Sequence, residues 1–396
     1  MKKFLAIALA VLMLAGCCTM FASCGDSDKI KIGLSGPTTG AAATYGIAVQ
    51  NSALMAIEEI NEKGGLSNGV QLKLLAYDDA HDPNKVANNF AAMQKKGMHV
   101  ALGCVTSNPC LEFVGLSNKN DVFFLTPSAS ANDVVLTADH GYQMCFADGN
   151  QGAVAGAYVN VLAAAGQLGK LGVLYKSGDP YSEGIYKQFD ATILKAIIGE
   201  VKVATFTEAD ETVKFDTQVE QLKDCDFIFM PIYYTPAAKF MDTAKGKVAN
   251  SAVYYGCDGF DGIDTSVEGF DITTIPQKVT MLSHFNSKAT SGAAADYIAK
   301  YKARWGEDAP LNQFGASAYD CVYAIRDALN AAIAAGKNVT AEMTAAEICT
   351  ILTEQFDGTF TFSGATGENI KWNAVPGEAG YVSKLAVPYV IKEANA

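Results

Sequence analysis

Histidine is scarce in this sequence, and the motifs of the common catalytic centres are absent. Only four histidines occur in 396 residues, and none of them stands in an HExxH pair that would hold zinc. The GxSxG, P-loop and GxGxxG patterns do not occur either, so neither a nucleophile elbow nor a glycine-rich phosphate cradle is indicated. Solenoid repeats, coiled coils and low-complexity tracts are also missing. The residues therefore offer no recognisable constellation for covalent catalysis.

Cysteines are present, but their arrangement predicts no metal centre. The seven in the body of the chain are scattered, odd in number and without any CxxC spacing; they are Cys104, Cys110, Cys145, Cys225, Cys257, Cys321 and Cys349. The first two could form a disulfide only if the backbone brings them within bonding reach. We expect neither a metal nor another cofactor.

Length and charge indicate an acidic protein of two domains. Beyond the N-terminal leader roughly 370 residues remain, which is enough for two domains of ordinary size. The chain has 42 acidic against 30 basic residues and a net charge of −12. Such a balance argues against nucleic acid or an anionic bilayer surface as the partner.

The first two dozen residues predict export. Lys2 and Lys3 precede an apolar run over 5–15, which is too short to span a bilayer and is typical of a secretory signal. Two cysteines then stand in contexts suited to lipidation, Cys17 in LAGC and Cys24 in FASC. We expect one of them to carry the lipid that anchors a soluble body outside the cell membrane. The alternative is an ordinary cleaved signal.

Strand-like and helix-like runs alternate along the rest of the chain. Strands are predicted at 29–34, 70–77, 100–105, 122–125 and 142–146 and, after a turn-rich stretch at 147–152, at 170–175, 201–206, 227–230, 252–255 and 279–285. Helices lie between most of them, so each half predicts a parallel sheet covered on both faces. We therefore predict an α/β fold with two Rossmann-like lobes, built from 29–148 with 284–362 and from 149–283 with 363–396.

Polar and aromatic residues recur where the predicted strands end. In open α/β sheets ligands bind outside the carboxyl ends of the strands. The residues that we single out there are Tyr45, Ser107, Ser128, Ser130, Tyr181, Tyr233 and Asp258. Taken singly, each is as well explained as a turn former or a half-buried packing residue. Together they offer one carboxylate for an ammonium, with hydroxyls and the N–H groups of a helix start for a carboxylate. That combination suits a free amino acid.

An acidic cluster in YDDAHDP permits a different interpretation. Asp78, Asp79 and Asp82 could in principle serve a hydrolase, but no activated nucleophile or metal set accompanies them. Strand termination and capping of a helix that begins at Pro83 explain these residue types more simply.

The order and spacing of several segments resemble the type I periplasmic binding proteins, specifically the branched-chain amino-acid-binding branch that serves ABC importers. The segments that carry the resemblance are IGLSGP with Tyr45-Gly46, IEEINEKGG, YDDAHDP, TPSAS, Asp148 with Gln151-Gly152, YSEG, and Tyr233-Tyr234. The match as a whole covers nearly all of the chain after the leader.

The resemblance implies a function and a role for each site residue. It implies a monomeric receptor without a cofactor, whose lobes, joined by a three-stranded hinge, close around a small aliphatic amino acid for delivery to an importer. Ser107 would hold the ligand carboxylate, and Ser130 would supply the hydroxyl that a threonine supplies in the family. Ser128 would offer a backbone carbonyl to the ammonium, and Asp258 would neutralise it. The aromatic walls would be Tyr45, Tyr181 and Tyr233. An amide, urea, a polar amino acid or a short peptide remains open as the ligand.

Four positions depart from the pattern of the family. Asp258 stands where the namesake group has Glu, which shortens the arm that reaches the ammonium. His81 and Thr106 stand where some relatives have two half-cystines. Gln143 stands where many relatives have Arg. The first departure bears on the identity of the ligand more than on its class.

Overall fold

A computed structural model describes residues 26–207, 214–372 and 380–395. The predicted signal and both candidate lipidation cysteines, Cys17 and Cys24, lie outside the described residues. The strands are β1 (Lys29–Gly36), β2 (Gln71–Asp78), β3 (Val100–Cys104), β4 (Phe124–Thr126), β5 (Gly141–Gln143), β6 (Leu171–Lys176), β7 (Val201–Phe206), β8 (Phe227–Met230), β9 (Val253–Gly256), β10 (Lys278–Ser283), β11 (Phe362–Gly364), β12 (Gly367–Ile370) and β13 (Val387–Lys392).

The α-helices follow most strands, as the alternating pattern predicts. They are α1 (Ala43–Glu62), α2 (Pro83–Lys95), α3 (Ser107–Asn120), α4 (Asp133–Leu136), α5 (Asp148–Ala164), α6 (Pro180–Thr192), α7 (Lys195–Ile198), α8 (Asp216–Leu222), α9 (Tyr234–Ala244), α10 (Gly292–Trp305), α11 (Gln313–Ala334) and α12 (Ala345–Phe356). Within the described ranges, none of these helices combines the length and the hydrophobicity that crossing a bilayer requires.

The first lobe is built on a five-stranded sheet in the order β2-β1-β3-β4-β5. All of its strand pairs are parallel. Every residue of β3 is buried, because helices cover both faces of a parallel sheet. On this lobe α1 packs against α11, and α2 packs against α3.

The second lobe is built on a six-stranded sheet in the order β13-β10-β9-β8-β6-β7. Five of its strands are parallel, and β13 runs antiparallel to β10 at one edge. The helices α5 and α6 pack closely against each other on this lobe. Two lobes with parallel-sheet cores confirm the predicted fold class.

Three segments connect the lobes, after β5, after β10 and before β13. Phe146 in the first segment and His284 in the second have ring centroids 4.9 Å apart. Ala386 in the third donates its backbone N–H to the side chain of Asn150 at the start of α5, at 2.8 Å. The three connections therefore lie side by side, which is the arrangement of a hinge.

The hairpin of β11 and β12 lies against the first lobe. The backbone N–H groups of Ala365 and Thr366 donate to the Asp320 carboxylate on α11, at 2.8 and 2.7 Å. Trp372 donates its indole N–H to the carbonyl of Gln143 at the end of β5, at 2.7 Å. The division of the chain at residue 363 stays a prediction, and these contacts favour a later crossing, shortly before β13.

The predicted turn at 147–152 is wrong, because α5 begins at Asp148. Two glycines of α5, one of them inside the predicted turn, allow close packing between helices. A Cβ on Gly152 would lie 2.5 Å from the carbonyl oxygen of Ile185, and one on Gly156 would lie 2.8 Å from the side chain of Thr192. The glycines therefore let α5 approach α6 closely, and the first connection between the lobes is shorter than predicted.

Gly46 tests the packing that fixes the start of α1 beside Tyr45. A Cβ at Gly46 would lie 1.9 Å from the carbonyl oxygen of Pro37. Gly46→Ala should therefore lower the free energy of unfolding by about 1–3 kcal/mol, as other overpacking substitutions do. The matched control is Gly115→Ala on α3, which has no neighbouring atom within 4 Å and should gain up to about 1 kcal/mol of helix propensity. Urea unfolding of both variants measures the difference, and equal stability would contradict the packing.

Candidate functional site

The seven residues singled out from the sequence line one cavity between the two lobes. Tyr45, Ser107, Ser128, Ser130, Tyr181, Tyr233 and Asp258 surround it together with Val105, Thr106 and Phe314. The volume open to the centre of a water molecule is about 10 Å³, close to the least that one water needs. The lobes are thus closed on one another, and an amino acid could enter only if they moved apart.

Ser107 is the first residue of α3, where Thr106 leaves the strand with an extended backbone. Pro109 suits this first turn because it has no N–H to satisfy. The Ser107 hydroxyl, which is 1% exposed, accepts a hydrogen bond from the backbone N–H of Ala131 at 3.2 Å. That bond ties the start of α3 to the loop that follows β4, so Ser107 and the loop that carries Ser128 and Ser130 form one wall.

The loop after β4 carries Ser128 and Ser130 and is held by side chains of its surroundings. The Ser128 hydroxyl donates to the carbonyl of Val105. Gln143 donates its side-chain amide to the carbonyls of Ala129 and Ala131, at 2.9 and 3.3 Å. Gln143 therefore supports the site from behind without lining the cavity.

Asp258 follows β9 at the start of a short 3₁₀ turn and is 1% exposed. Its Oδ1 accepts a hydrogen bond from the Tyr181 hydroxyl at 2.6 Å, and its backbone N–H donates to Oε1 of Gln151 at 2.9 Å. Its Oδ2 is buried and has no hydrogen-bond partner in the described residues. Burial raises the pKa of Asp258 to about 6, against the opposing effect of the Tyr181 hydrogen bond.

A second buried carboxylate, Asp148, lies behind the cavity at the start of α5. It is 1% exposed, and its Oδ2 also lacks a partner within the described part of the chain. Burial raises the pKa of Asp148 well above its ordinary value, and the charge of Asp258 raises it further. Because none of the described residues that line the cavity is basic, the site favours a cationic group on its ligand.

Aromatic rings fill the space between the polar ends of the site. Tyr181 and Tyr233 stack with centroids 4.7 Å apart and planes 6° from parallel. The Tyr233 hydroxyl is hydrogen-bonded to the backbone of Ser107, whereas the Tyr181 hydroxyl bonds Asp258. In this closed conformation the tyrosine pair thus makes hydrogen bonds at both ends of the site.

The acidic cluster at the end of β2 has a structural role. Asp82 caps α2 by accepting from the N–H of Asn84 at 2.9 Å, as the sequence predicts. Asp78 accepts from the N–H of Thr38 at 2.8 Å, and Asp79 accepts from the hydroxyl of Ser35 at 3.0 Å. The cluster builds turns around β1 and β2, and none of its members lines the cavity.

Sequence reasoning missed three members of the cavity wall and did not weigh the second acid. Val105 and Thr106 adjoin Ser107, and their position at a strand end was the available signal. Phe314 lies in the first turn of α11, more than 50 residues beyond Asp258, where only an apolar helical stripe was visible. Its ring meets that of Tyr45 edge-on, with centroids 4.8 Å apart. Asp148 was noted for the resemblance but not as a charge near Asp258.

The chain matches the sequence profile of the periplasmic binding protein family over residues 29–372. It belongs to that family, and the resemblance predicted from the sequence is confirmed. The family is one of solute-binding proteins, not enzymes.

Relatives and solved structures agree with this assignment. The leucine-, isoleucine-, valine-, threonine- and alanine-binding protein of Pseudomonas aeruginosa is 31% identical over 55% of this chain. The aligned part spans 58% of that relative, a little more than half its length.

Two solved structures show the same fold across most of the chain. The leucine-binding protein LivK of Thermotoga maritima has a TM-score of 0.75 and 22% identity, covering 92% of this chain and 95% of that one. A solute-binding protein of an ABC transporter from R. palustris, in complex with benzoate, has a TM-score of 0.74 and 18% identity, covering 92% and 93%. At these identities the likeness shows the fold alone.

Asp148 gives a test of the buried charge in the unliganded protein. An acid whose pKa is raised by folding stabilises the folded state at low pH, and this contribution is lost as the pH rises through the folded pKa. Asp148→Asn should therefore leave Tm unchanged near pH 4 and raise it at pH 8, by roughly 2–4 °C, the shift that about 1 kcal/mol produces at this size.

The control for this substitution is Asp224→Asn. Asp224 is exposed and paired with Lys170 and Lys202, at 2.9 and 2.6 Å, and these lysines lower the pKa of its carboxyl. Its removal should bring no gain at pH 8. A thermal melt in which Asp148→Asn is no more stabilising at pH 8 than at pH 4 would contradict the buried charge.

Proposed function

We propose that this chain is the solute-binding component of an ABC importer and that its ligand is a small aliphatic α-amino acid, branched-chain or other. The protein would act outside the cytoplasmic membrane, anchored by a lipid on Cys17 or Cys24. The observation that carries the proposal is the buried Oδ2 of Asp258. It has no hydrogen-bond partner among the described residues and lies at one end of a cavity whose other end is lined by hydroxyls.

An α-amino acid matches both ends of this cavity. Its ammonium would pair with Asp258, because a buried carboxylate without a counter-charge is costly and an opposite charge relieves that cost. Its carboxylate would accept hydrogen bonds from Ser107, Ser130 and the first N–H groups of α3, where the helix dipole also favours an anion. Tyr45, Tyr181, Tyr233 and Phe314 would leave an apolar surface for the side chain.

Benzoate, the ligand of the R. palustris structure, is a less suitable guest for this site. Benzoate carries only a negative charge, and Asp258 would repel it across a cavity with no basic side chain. The ligands named for the Pseudomonas aeruginosa relative are aliphatic or hydroxylated amino acids, which the proposed charges suit. An amide or urea would leave at least one end of the site without its complement. A short peptide has both charges but holds them farther apart than an α-amino acid does.

Binding would proceed by hinge motion and without covalent chemistry. Hydrogen bonds between the lobes hold the closed form. The Tyr45 hydroxyl donates to the carbonyl of Gly259 at 2.5 Å, and the N–H of Gln313 donates to Asp261 at 2.9 Å. These bonds would break on opening, and the Tyr181–Tyr233 pair would move aside for the guest. A ligand that bridges Asp258 and Ser107 favours closure because it binds the closed form better.

Removal of the proposed counter-charge tests the assignment. Asp258→Ala should weaken binding of the preferred amino acid at least about 100-fold, since breaking a buried charge pair costs about 3–5 kcal/mol. The control is Asp264→Ala, an exposed acid six residues along the chain, which should bind as the parent does. Titration calorimetry against a panel of amino acids measures both. Unchanged affinity in Asp258→Ala would reject the role of this residue.

The pH dependence of binding tests the same carboxylate without a substitution. The pKa of Asp258 is about 6 in the unliganded site, and a bound ammonium lowers it, so binding releases a proton below that pH. Affinity should be constant above pH 7 and fall about tenfold per pH unit below 6. Calorimetry in buffers of different ionisation enthalpy should detect the released proton. An affinity that does not change between pH 7 and pH 5 would contradict the proposal.

A further inference from the structure

His81 lies in a backbone turn that is built to present its side chain. Ala80 and His81 have φ values of 51° and 64°, a left-handed conformation that non-glycine residues adopt rarely and only when their surroundings fix it. Asp78 accepts the N–H of Ala80, and Asp79 accepts the N–H of His81, both at 2.9 Å. The two carboxylates therefore hold the unusual turn and set the direction in which the imidazole leaves the backbone.

The imidazole of His81 is bonded to the turn that carries Ser107. Its Nδ1 lies 2.8 Å from the Thr106 hydroxyl. A threonine directly before a helix usually caps it by accepting an N–H of the first turn, but Thr106 makes no such bond to α3. Its hydroxyl is engaged by His81 instead, so Thr106 does not occupy the first N–H groups of α3. The Tyr233 hydroxyl, which is bonded to the backbone of Ser107 in the closed form, is the contact that a ligand carboxylate would replace there.

The same imidazole also meets the opposite lobe. Its ring packs edge-on against Tyr233, with centroids 5.4 Å apart and planes at 87°. Tyr233 in turn stacks on Tyr181, the hydroxyl partner of Asp258. His81 thus contacts the carboxylate end of the cavity from the first lobe and the aromatic wall from the second.

We infer that His81 is a positioning residue, which withdraws the Thr106 hydroxyl from α3 and so keeps the N-terminal N–H groups of that helix available for the ligand carboxylate. The inference rests on the proposed function, in which a carboxylate binds at this turn. The contact with Tyr233 adds a second effect, because it fixes the turn in place when the lobes close. His81 does not line the cavity and acts through its neighbours.

The test compares an amino acid with its own amide. The two differ only in the group that would face α3, which is an anionic carboxylate in one and a neutral carboxamide in the other. His81→Ala should weaken binding of L-leucine about fivefold to tenfold, the effect of losing about one buried hydrogen bond, and should change binding of L-leucinamide less than twofold. His81→Asn should restore the preference for the acid, since asparagine tolerates φ > 0 and can place an amide near the Thr106 hydroxyl. In the double variant His81→Ala/Thr106→Val, which has no hydroxyl at this position to cap α3, binding of L-leucine should recover relative to His81→Ala.

The matched control is His140→Ala on the same lobe. The Nδ1 of His140 lies 3.2 Å from the Thr353 hydroxyl, which is a pair of the same chemistry away from the cavity, and its loss should leave both affinities unchanged. An equal fall for leucine and leucinamide in His81→Ala, or no fall for either, would overturn the inference. If the parent protein binds no amino acid of the panel, the proposed function itself fails, and this outcome is distinct from a failure of the role of His81.

Discussion

The unpaired oxygen of Asp258 is the feature on which the rest of the site depends. A carboxylate removed from water needs a hydrogen-bond donor or a counter-charge for each oxygen, and here Tyr181 serves only Oδ1. Gln151 holds the backbone of Asp258, so the turn that carries this carboxylate is tied to α5. The unfavourable free energy of burying this oxygen therefore destabilises the unliganded closed state. The proposed ligand, which brings an ammonium, would remove this cost, and the free energy so gained would favour both binding and closure.

The aromatic residues explain how one cavity can be closed both with and without a guest. Tyr181 and Tyr233 form a stacked pair whose two hydroxyls reach Asp258 and the start of α3. Stacked rings bury apolar area and add about 0.5–1.5 kcal/mol, which stabilises the closed form in the absence of ligand. A ligand that separates the two rings would have to form interactions that are more favourable than this stacking and these two hydrogen bonds. In the proposed function, selectivity for a molecule with two opposite charges would follow, because such a molecule would replace both hydroxyl contacts at once.

The fold, and the grouping of seven residues around one cavity, could be predicted from sequence because both depend on local patterns. Alternating strands and helices fix a parallel sheet, and parallel strands place their ends on one edge, so residues as distant as Tyr45 and Asp258 could be grouped. Long-range packing was not readable: the glycines of α5 suggest a turn until α6 is known to lie against them. Phe314 was invisible for the same reason, since α11 returns to the cavity only after the chain has crossed between lobes. The hydrogen bond between His81 and Thr106 depends on a left-handed turn, and no glycine or asparagine in that stretch indicates such a turn.

The most direct test of the central claim compares L-leucine with its α-hydroxy acid analogue, in which a hydroxyl replaces the ammonium and the carboxylate and side chain are kept. Titration calorimetry of the unmodified protein at pH 7.5 measures both affinities. If Asp258 neutralises the ligand, the amino acid should bind at least about 100-fold more tightly than the hydroxy acid, the difference expected when a buried charge loses its partner. Equal binding of the two, or tighter binding of the hydroxy acid or of benzoate, would contradict the account.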